Sequence, residues 1–137
     1  MNAYRQMAVL VRAMAHPVRL QIVEVLSRES EACVCHLESH LGLRQADLSQ
    51  HLARMRLGGV VKAHREGLNV YYSLADESVT GLFQAAAYAA ERLPSRRGTS
   101  RGTRSARRVP AVPCPCPKCA TAQEIPSVHS VTAPNGA

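Results

Sequence analysis

Leu37-Glu38-Ser39-His40-Leu41-Gly42-Leu43-Arg44-Gln45-Ala46-Asp47-Leu48-Ser49-Gln50-His51-Leu52-Ala53-Arg54-Met55 is the stretch that decides the fold. Leu37 and Leu41 mark the apolar stripe of a short helix, and Gly42 supplies a turn. Leu48, Leu52 and Met55 then give a second helix an i, i+4, i+7 stripe. Gly58-Gly59 stops it. With that stripe toward the core, Ala46, Ser49, Gln50, Ala53 and Arg54 face outward, and Arg44 and Gln45 stand at the leading end.

Working outward toward the N-terminus, Val18, Ile22, Val25 and Leu26 form a core-facing stripe that begins at Pro17, a residue suited to a first helical turn. The polar run Ser27 to Glu31 closes that helix. Before it, Met7, Leu10, Val11 and Met14 mark an amphipathic helix expected to end at His16. Toward the C-terminus the period changes to two. Val61 and Ala63 lead into Arg65-Glu66-Gly67-Leu68, and Val70, Tyr72 and Leu74 alternate with Tyr71 and Ser73, as a two-stranded hairpin should. Asp76 offers an N-cap for a last helix carrying Val79, Leu82, Phe83, Ala86, Ala90 and Leu93, whose alanine-rich surface lets another helix approach closely. An isolated hairpin is marginal and must pack on the helices. The expected fold is mainly α with a small β-hairpin: four helices, a wing and a final helix, a winged helix-turn-helix.

Composition sets the frame. The chain has 137 residues, 46% hydrophobic, with no tryptophan and one phenylalanine, enough for one modest core. Residues 1–93 carry ten Lys and Arg against nine Asp and Glu, whereas residues 94–137 carry seven against one, so the basic excess belongs to the tail. After Pro94 the sequence turns to Ser, Arg, Gly, Thr and Pro without periodicity. The expected division is therefore a folded unit over 1–93 and a disordered basic tail over 94–137. Arg96, Arg97, Arg101, Arg104, Arg107 and Arg108 would attract phosphates without fixed geometry. No signal peptide or long apolar run is present, so a soluble protein of a reducing cytoplasm is expected, with no membrane role. In such a compartment five cysteines, an odd number, read as metal or redox thiols and not as a disulfide framework.

In a helix-turn-helix the second helix enters the major groove. Gln45 and Gln50 have the amide edge suited to adenine, Arg44 and Arg54 can reach guanine or phosphate, and Ser49 can bond to either. An ordinary solvated helix face would carry the same residue types. His64 and Arg65 at the wing tip fit phosphate contacts, as does a solvated turn. His51 lies on the flank, where packing is the expected role, and Asp47 suits capping. The second chemical feature is Cys33-Val34-Cys35. Two cysteines at i and i+2 point about 200° apart within a helix and cannot share an ion there. They can where the first lies outside the helix and the second in its first turn, a place that also favours the thiolate. Two small buried hydrophobes beside Val34 are the competing reading.

Four motifs together, Ala15-His16-Pro17-Val18-Arg19-Leu20, Cys33-Val34-Cys35-His36-Leu37, Leu43 to Leu52, and Arg65-Glu66-Gly67-Leu68-Asn69-Val70-Tyr71-Tyr72, resemble the ArsR/SmtB family of metal-responsive repressors over roughly residues 5–93. The resemblance implies a homodimer joined through its first and last helices, bound to an imperfect palindrome of double-stranded operator DNA and released by an inducer. It implies no enzyme. Two departures matter. The zinc-sensing branch uses Asp and His ligands on the last helix, but Asp76-Glu77-Ser78 and Ala85 to Ala90 bring no histidine, so a zinc site of that type is not expected. The arsenic-sensing branch, which this chain resembles in its Cys-Val-Cys box, often has a third cysteine near the position of His40. Here the chain reads Glu38-Ser39-His40.

A third thiol must then come from Cys114-Pro115-Cys116-Pro117-Lys118-Cys119. The prolines favour an extended threefold backbone that returns Cys116 and Cys119 to one side, and a turn at Pro117-Lys118 can equally close a Cys-x-x-Cys chelate. Cys33 and Cys35 with one tail thiol make a trigonal set for trivalent arsenic or antimony, while cadmium, lead and mercury also favour sulfur. The set can form within a subunit or between partners, or the tail trio can bind alone. Loop closure costs only a few kcal/mol because its entropy rises slowly with length. His36 and His40 are weaker candidates that can lie near the site but better suit surface or packing roles, and His129 has no neighbouring ligand. The expected function is a repressor relieved by arsenite or antimonite without a constitutive cofactor. A cadmium, lead or mercury sensor, or a redox or persulfide switch, is the alternative.

Overall fold

The computed structural model describes residues 2–94 and 116–118. Its elements are α1 (Ala3–Met14), α2 (Pro17–Glu29), β1 (Glu31–Cys33), α3 (Val34–Leu41), α4 (Gln45–Leu57), β2 (Val61–Glu66), β3 (Asn69–Leu74) and α5 (Ser78–Arg92). The five helices, the turn and the wing follow the order read from the sequence. The wing gains a strand: β1 pairs antiparallel with β3, Ala32 opposite Tyr72 and Cys33 opposite Tyr71, giving the order β1-β3-β2. β2 and β3 are joined by the two-residue loop Gly67-Leu68, with Gly67 at φ 62, the positive angle that such hairpins demand of their first loop residue.

Local rules explain the boundaries. α1 ends at Met14, two residues earlier than expected, because His16 serves the next helix: its Nδ1 accepts from the Val18 amide 3.1 Å away, and Pro17 follows in the first turn. The carbonyls left open at the end of α1 are met from α2. Arg19, 8% exposed, donates through Nη1 to the carbonyls of Ala13 at 3.0 Å and Arg12 at 3.3 Å. Asp76 caps α5 one position ahead of the formal cap, accepting from the Ser78 amide at 2.8 Å, and hydrogen bonds from the Ser78 side chain and then its amide hold the carboxyl below the usual range.

Ile22, Leu26, Leu37, Leu48, Leu52, Met55 and Val60 form the fully buried centre. All three members of the α4 stripe are thus inside, which fixes the rotation of that helix. Gly42, at φ 65, closes α3 and sets the turn into α4. Gly58 ends α4 against α1, where a Cβ would meet that of Ala13 at 2.2 Å. Ser27 Oγ lies 3.1 Å from Thr80 Oγ1 and ties α2 to α5. Large apolar side chains stay exposed on the two terminal helices: Tyr4, Met7, Val9 and Val11 on α1, Tyr88 on α5 and Leu93 at its end. No helix among the described residues is long and apolar enough to cross a membrane. The expected disorder of the tail concerns residues that, apart from 116–118, lie outside the described set.

Candidate metal centre and nucleic-acid interface

Cys33 is the last residue of β1 and the N-cap of α3, with extended backbone (φ -79, ψ 163) and its sulfur accepting from the His36 amide at 3.4 Å. Cys35 lies in the first turn of α3. This is the arrangement that lets an i, i+2 pair converge, and the two sulfurs are 2.8 Å apart. Cys116 joins them, 2% exposed, with its sulfur 3.3 Å from that of Cys33. All three sulfurs lie within 4.8 Å of one another. Among the described residues, Cys116 is the third thiol beside this pair.

The donor chemistry fits a thiophilic ion. Thiolate bonds of roughly 2.3 Å at right to tetrahedral angles put sulfurs about 3.2 to 3.8 Å apart, so small side-chain rotations suffice. Sulfur-only ligation selects soft ions over magnesium or calcium. Cys114 and Cys119 lie outside the described residues.

Tyr71 floors the thiols and is itself 4% exposed, and burial, reinforced by Cys116, raises its phenol above the ordinary range. The tail turn is held beside it by charge. Lys118 Nζ lies 2.5 Å from Glu31, 2.9 Å from Glu66 and 4.3 Å from the centre of the Tyr71 ring. The hydrogen bonds that Lys118 donates to Glu31 and Glu66 push the lysine above its usual range, and Lys118 holds Glu66 below its own. Glu66 is the last residue of β2, so the tail turn touches the wing.

Arg44, Gln45, Ser49, Gln50 and Arg54 are all exposed, along one end and face of α4. Arg65 is exposed on the wing. His64 is also exposed but faces the thiol side: its ring stacks on Tyr71 at 5.6 Å and its Nε2 is 3.5 Å from Glu31. His51 is half-buried against His16, ring centres 4.5 Å apart, in keeping with a packing role. Its pKa is lowered, first by burial and then by the charges of His16, Arg19 and Arg54. Asp47 stands in the first turn of α4, where an acid is favoured.

Sequence reasoning missed Lys118, Glu31 and Glu66. The signal available was an isolated lysine amid the tail cysteines, too slight to assign a partner.

Comparison with known proteins adds to this geometry. Residues 16–63 match the family described as "Bacterial regulatory protein, arsR family". The chain is 42% identical over 77 residues to the transcriptional repressor PagR of Bacillus anthracis, covering 56% of this chain and 77% of that protein. The crystal structure of PagR superposes with a TM-score of 0.57 at 38% identity, over 61% of this chain and 95% of that one. A transcriptional repressor SmtB homolog from Synechocystis is 40% identical over 83 residues, 61% of this chain and 62% of the relative. The solution structure of the homodimeric winged helix-turn-helix DNA-binding domain of Mb0332 from Mycobacterium bovis matches with a TM-score of 0.60 at 33% identity, over 64% of this chain and 81% of that one.

Proposed function

This chain belongs to the arsR family of bacterial transcriptional regulators, and from that premise we propose that it is a homodimeric repressor released from operator DNA by arsenite or antimonite. The observation that carries the reading is the convergence of buried Cys33 and Cys116 with half-buried Cys35, an all-thiol trigonal set. Arg44, Gln45, Ser49, Gln50 and Arg54 supply the major-groove contacts, and Arg65 a phosphate contact from the wing. His64, turned toward Glu31 and Tyr71, serves the thiol side instead. The exposed apolar residues of α1 and α5 suit a two-fold interface between copies.

An ion held by Cys33, Cys35 and Cys116 would spread the Cys33–Cys35 pair from 2.8 Å to the roughly 3.2 Å or more that ligation requires and would fix the tail turn on the sheet. Lys118 carries that seating to Glu66 in the wing. Operator release then follows from differential affinity of the ion for two arrangements of α3 and the wing, with a coupling of about 1 to 3 kcal/mol.

The test is a titration. Reduced full-length protein on a labelled duplex, selected from random sequence for tight binding, is challenged in parallel with arsenite, antimonite, cadmium, lead, mercury and peroxide. Release by arsenite or antimonite at the lowest concentration is expected. Release by a divalent ion at lower concentration would move the inducer to that ion, and release by peroxide alone would make the thiols a redox switch.

A further inference from the structure

The second cluster of metal-ligating side chains lies beside the thiols, on the other kind of donor. His36 and His40 stand one turn apart on α3, with rings 6.1 Å apart and inclined by 24°. Glu29, the last residue of α2, places Oε2 2.6 Å from His36 Nε2. One donor atom from each of the three lies within 4.8 Å of the others. We propose that Glu29, His36 and His40 form a second metal site, for a borderline divalent cation such as Zn2+, distinct from the thiol trio.

The chemistry separates the two sites. Imidazole and carboxylate donors suit zinc, nickel and copper, while thiolates alone favour softer ions. Zinc takes such ligands at about 2.0 to 2.2 Å in a tetrahedron, which puts donors roughly 3.3 Å apart. Glu29 and His40 are exposed and His36 half-buried, so the exposed pair can rotate inward without disturbing the core. Three protein ligands leave a fourth position for water. In the ion's absence the Glu29–His36 contact occupies the same space, and the cation replaces a direct pair by a shared centre. The residues are spaced to span a bend: Ser30, between α2 and β1, has φ 65, the one positive angle among the described non-glycine residues. A cation here would brace α2 to α3 across that bend. Cys35 and His36 are neighbours, so both sites act on the first turn of one helix.

The test reads the imidazoles directly and does not depend on arsenite. In full-length protein, long-range proton–nitrogen NMR spectra of the histidine rings are followed as Zn2+ is added past saturation of the thiols. Shifts of the His36 and His40 ring nitrogens are expected, saturating at one further Zn2+ per protomer. In parallel, Zn2+ affinity is measured by chelator competition in a variant with all five cysteines changed to serine, with and without His40→Gln. Loss of His40 should weaken binding at least about 100-fold, since even losing a hydrogen-bonding partner of a ligand costs roughly 10- to 100-fold. Unmoved His36 and His40 rings in the natural protein overturn the proposal whether or not the cysteine-free variant folds. Equal Zn2+ affinity with and without His40 does the same.

Discussion

The Cys116 sulfur lies 3.3 Å from that of Cys33 across 83 residues of chain, so the tail delivers one particular thiol to the Cys-Val-Cys box. Cys33→Ser, Cys35→Ser and Cys116→Ser should each leave operator binding intact and lower the response to arsenite by roughly 5- to 150-fold, the range that such couplings span. Cys114→Ser and Cys119→Ser should have smaller effects. A fluorescence-anisotropy release assay checks this, and an undiminished response in Cys116→Ser would remove it from the set.

Lys118 holds the tail turn through Glu31 and Glu66. Reversing its charge, Lys118→Glu, sets like charges together and should raise the arsenite concentration needed for release by a few-fold. Operator affinity without the ion should hardly change. Because these side chains are partly exposed, the effect should shrink as salt is raised.

Gln45 and Ser49 are exposed at the leading end of α4, where base edges would be met. Changing both to alanine should reduce the preference for operator over random duplex, each good base contact contributing about 1 to 3 kcal/mol. Arg65→Ala should instead weaken both duplexes alike. Competition binding with the two DNAs distinguishes these outcomes.

Gly58→Ala places a methyl 2.2 Å from the Ala13 Cβ, a separation that forces α1 and α4 apart. Overpacking of this kind costs about 1 to 3 kcal/mol. For a folded unit of this size Tm should fall by roughly 4 to 8 °C per kcal/mol. Adding Ala13→Gly should recover part of the loss, which calorimetry on the single and double variants would show.

His51 ties stability to pH. Burial and the nearby His16, Arg19 and Arg54 lower its pKa from 6.5, while Asp47 opposes them. The unfolded chain therefore takes up this proton before the folded one does. The contribution of His51 is fully favourable above the unfolded value and declines as pH falls from there toward the folded value. His51→Gln should make the fall of Tm between about pH 8 and 5 shallower than in the natural protein. Identical slopes would show that other groups carry the acid sensitivity.

Periods of 3.6 and 2 were enough to place the helices, the turn and the hairpin, because Leu48, Leu52 and Met55 can be buried together in only one rotation of α4. The Cys33–Cys35 geometry was legible for a similar reason: a helix boundary is the place where i and i+2 converge, and Leu37 marks it. β1 was not legible, since three residues are too few to establish alternation. Arg19 on the α1 carbonyls and Lys118 on Glu66 were hidden because contacts between distant elements leave no periodic trace. Which tail cysteine docks was equally open, as Cys114, Cys116 and Cys119 share one chemistry.

Cys33 ends the strand β1 and caps the helix α3 at once, so sheet and helix-turn-helix share an atom-level joint. α3, with eight residues, is about 12 Å long, and α4, with thirteen, about 20 Å. A displacement of about 1 Å at that joint tilts α3 by about 5°. If α4 follows as one body, its leading end moves least and Arg54, nine residues further on, moves by roughly 1 Å, enough to stretch a hydrogen bond of about 2.9 Å beyond its useful range. An ion that moved this joint would need neither to unfold nor to occlude α4, because a displacement smaller than one bond length at a single sulfur is passed along both helices.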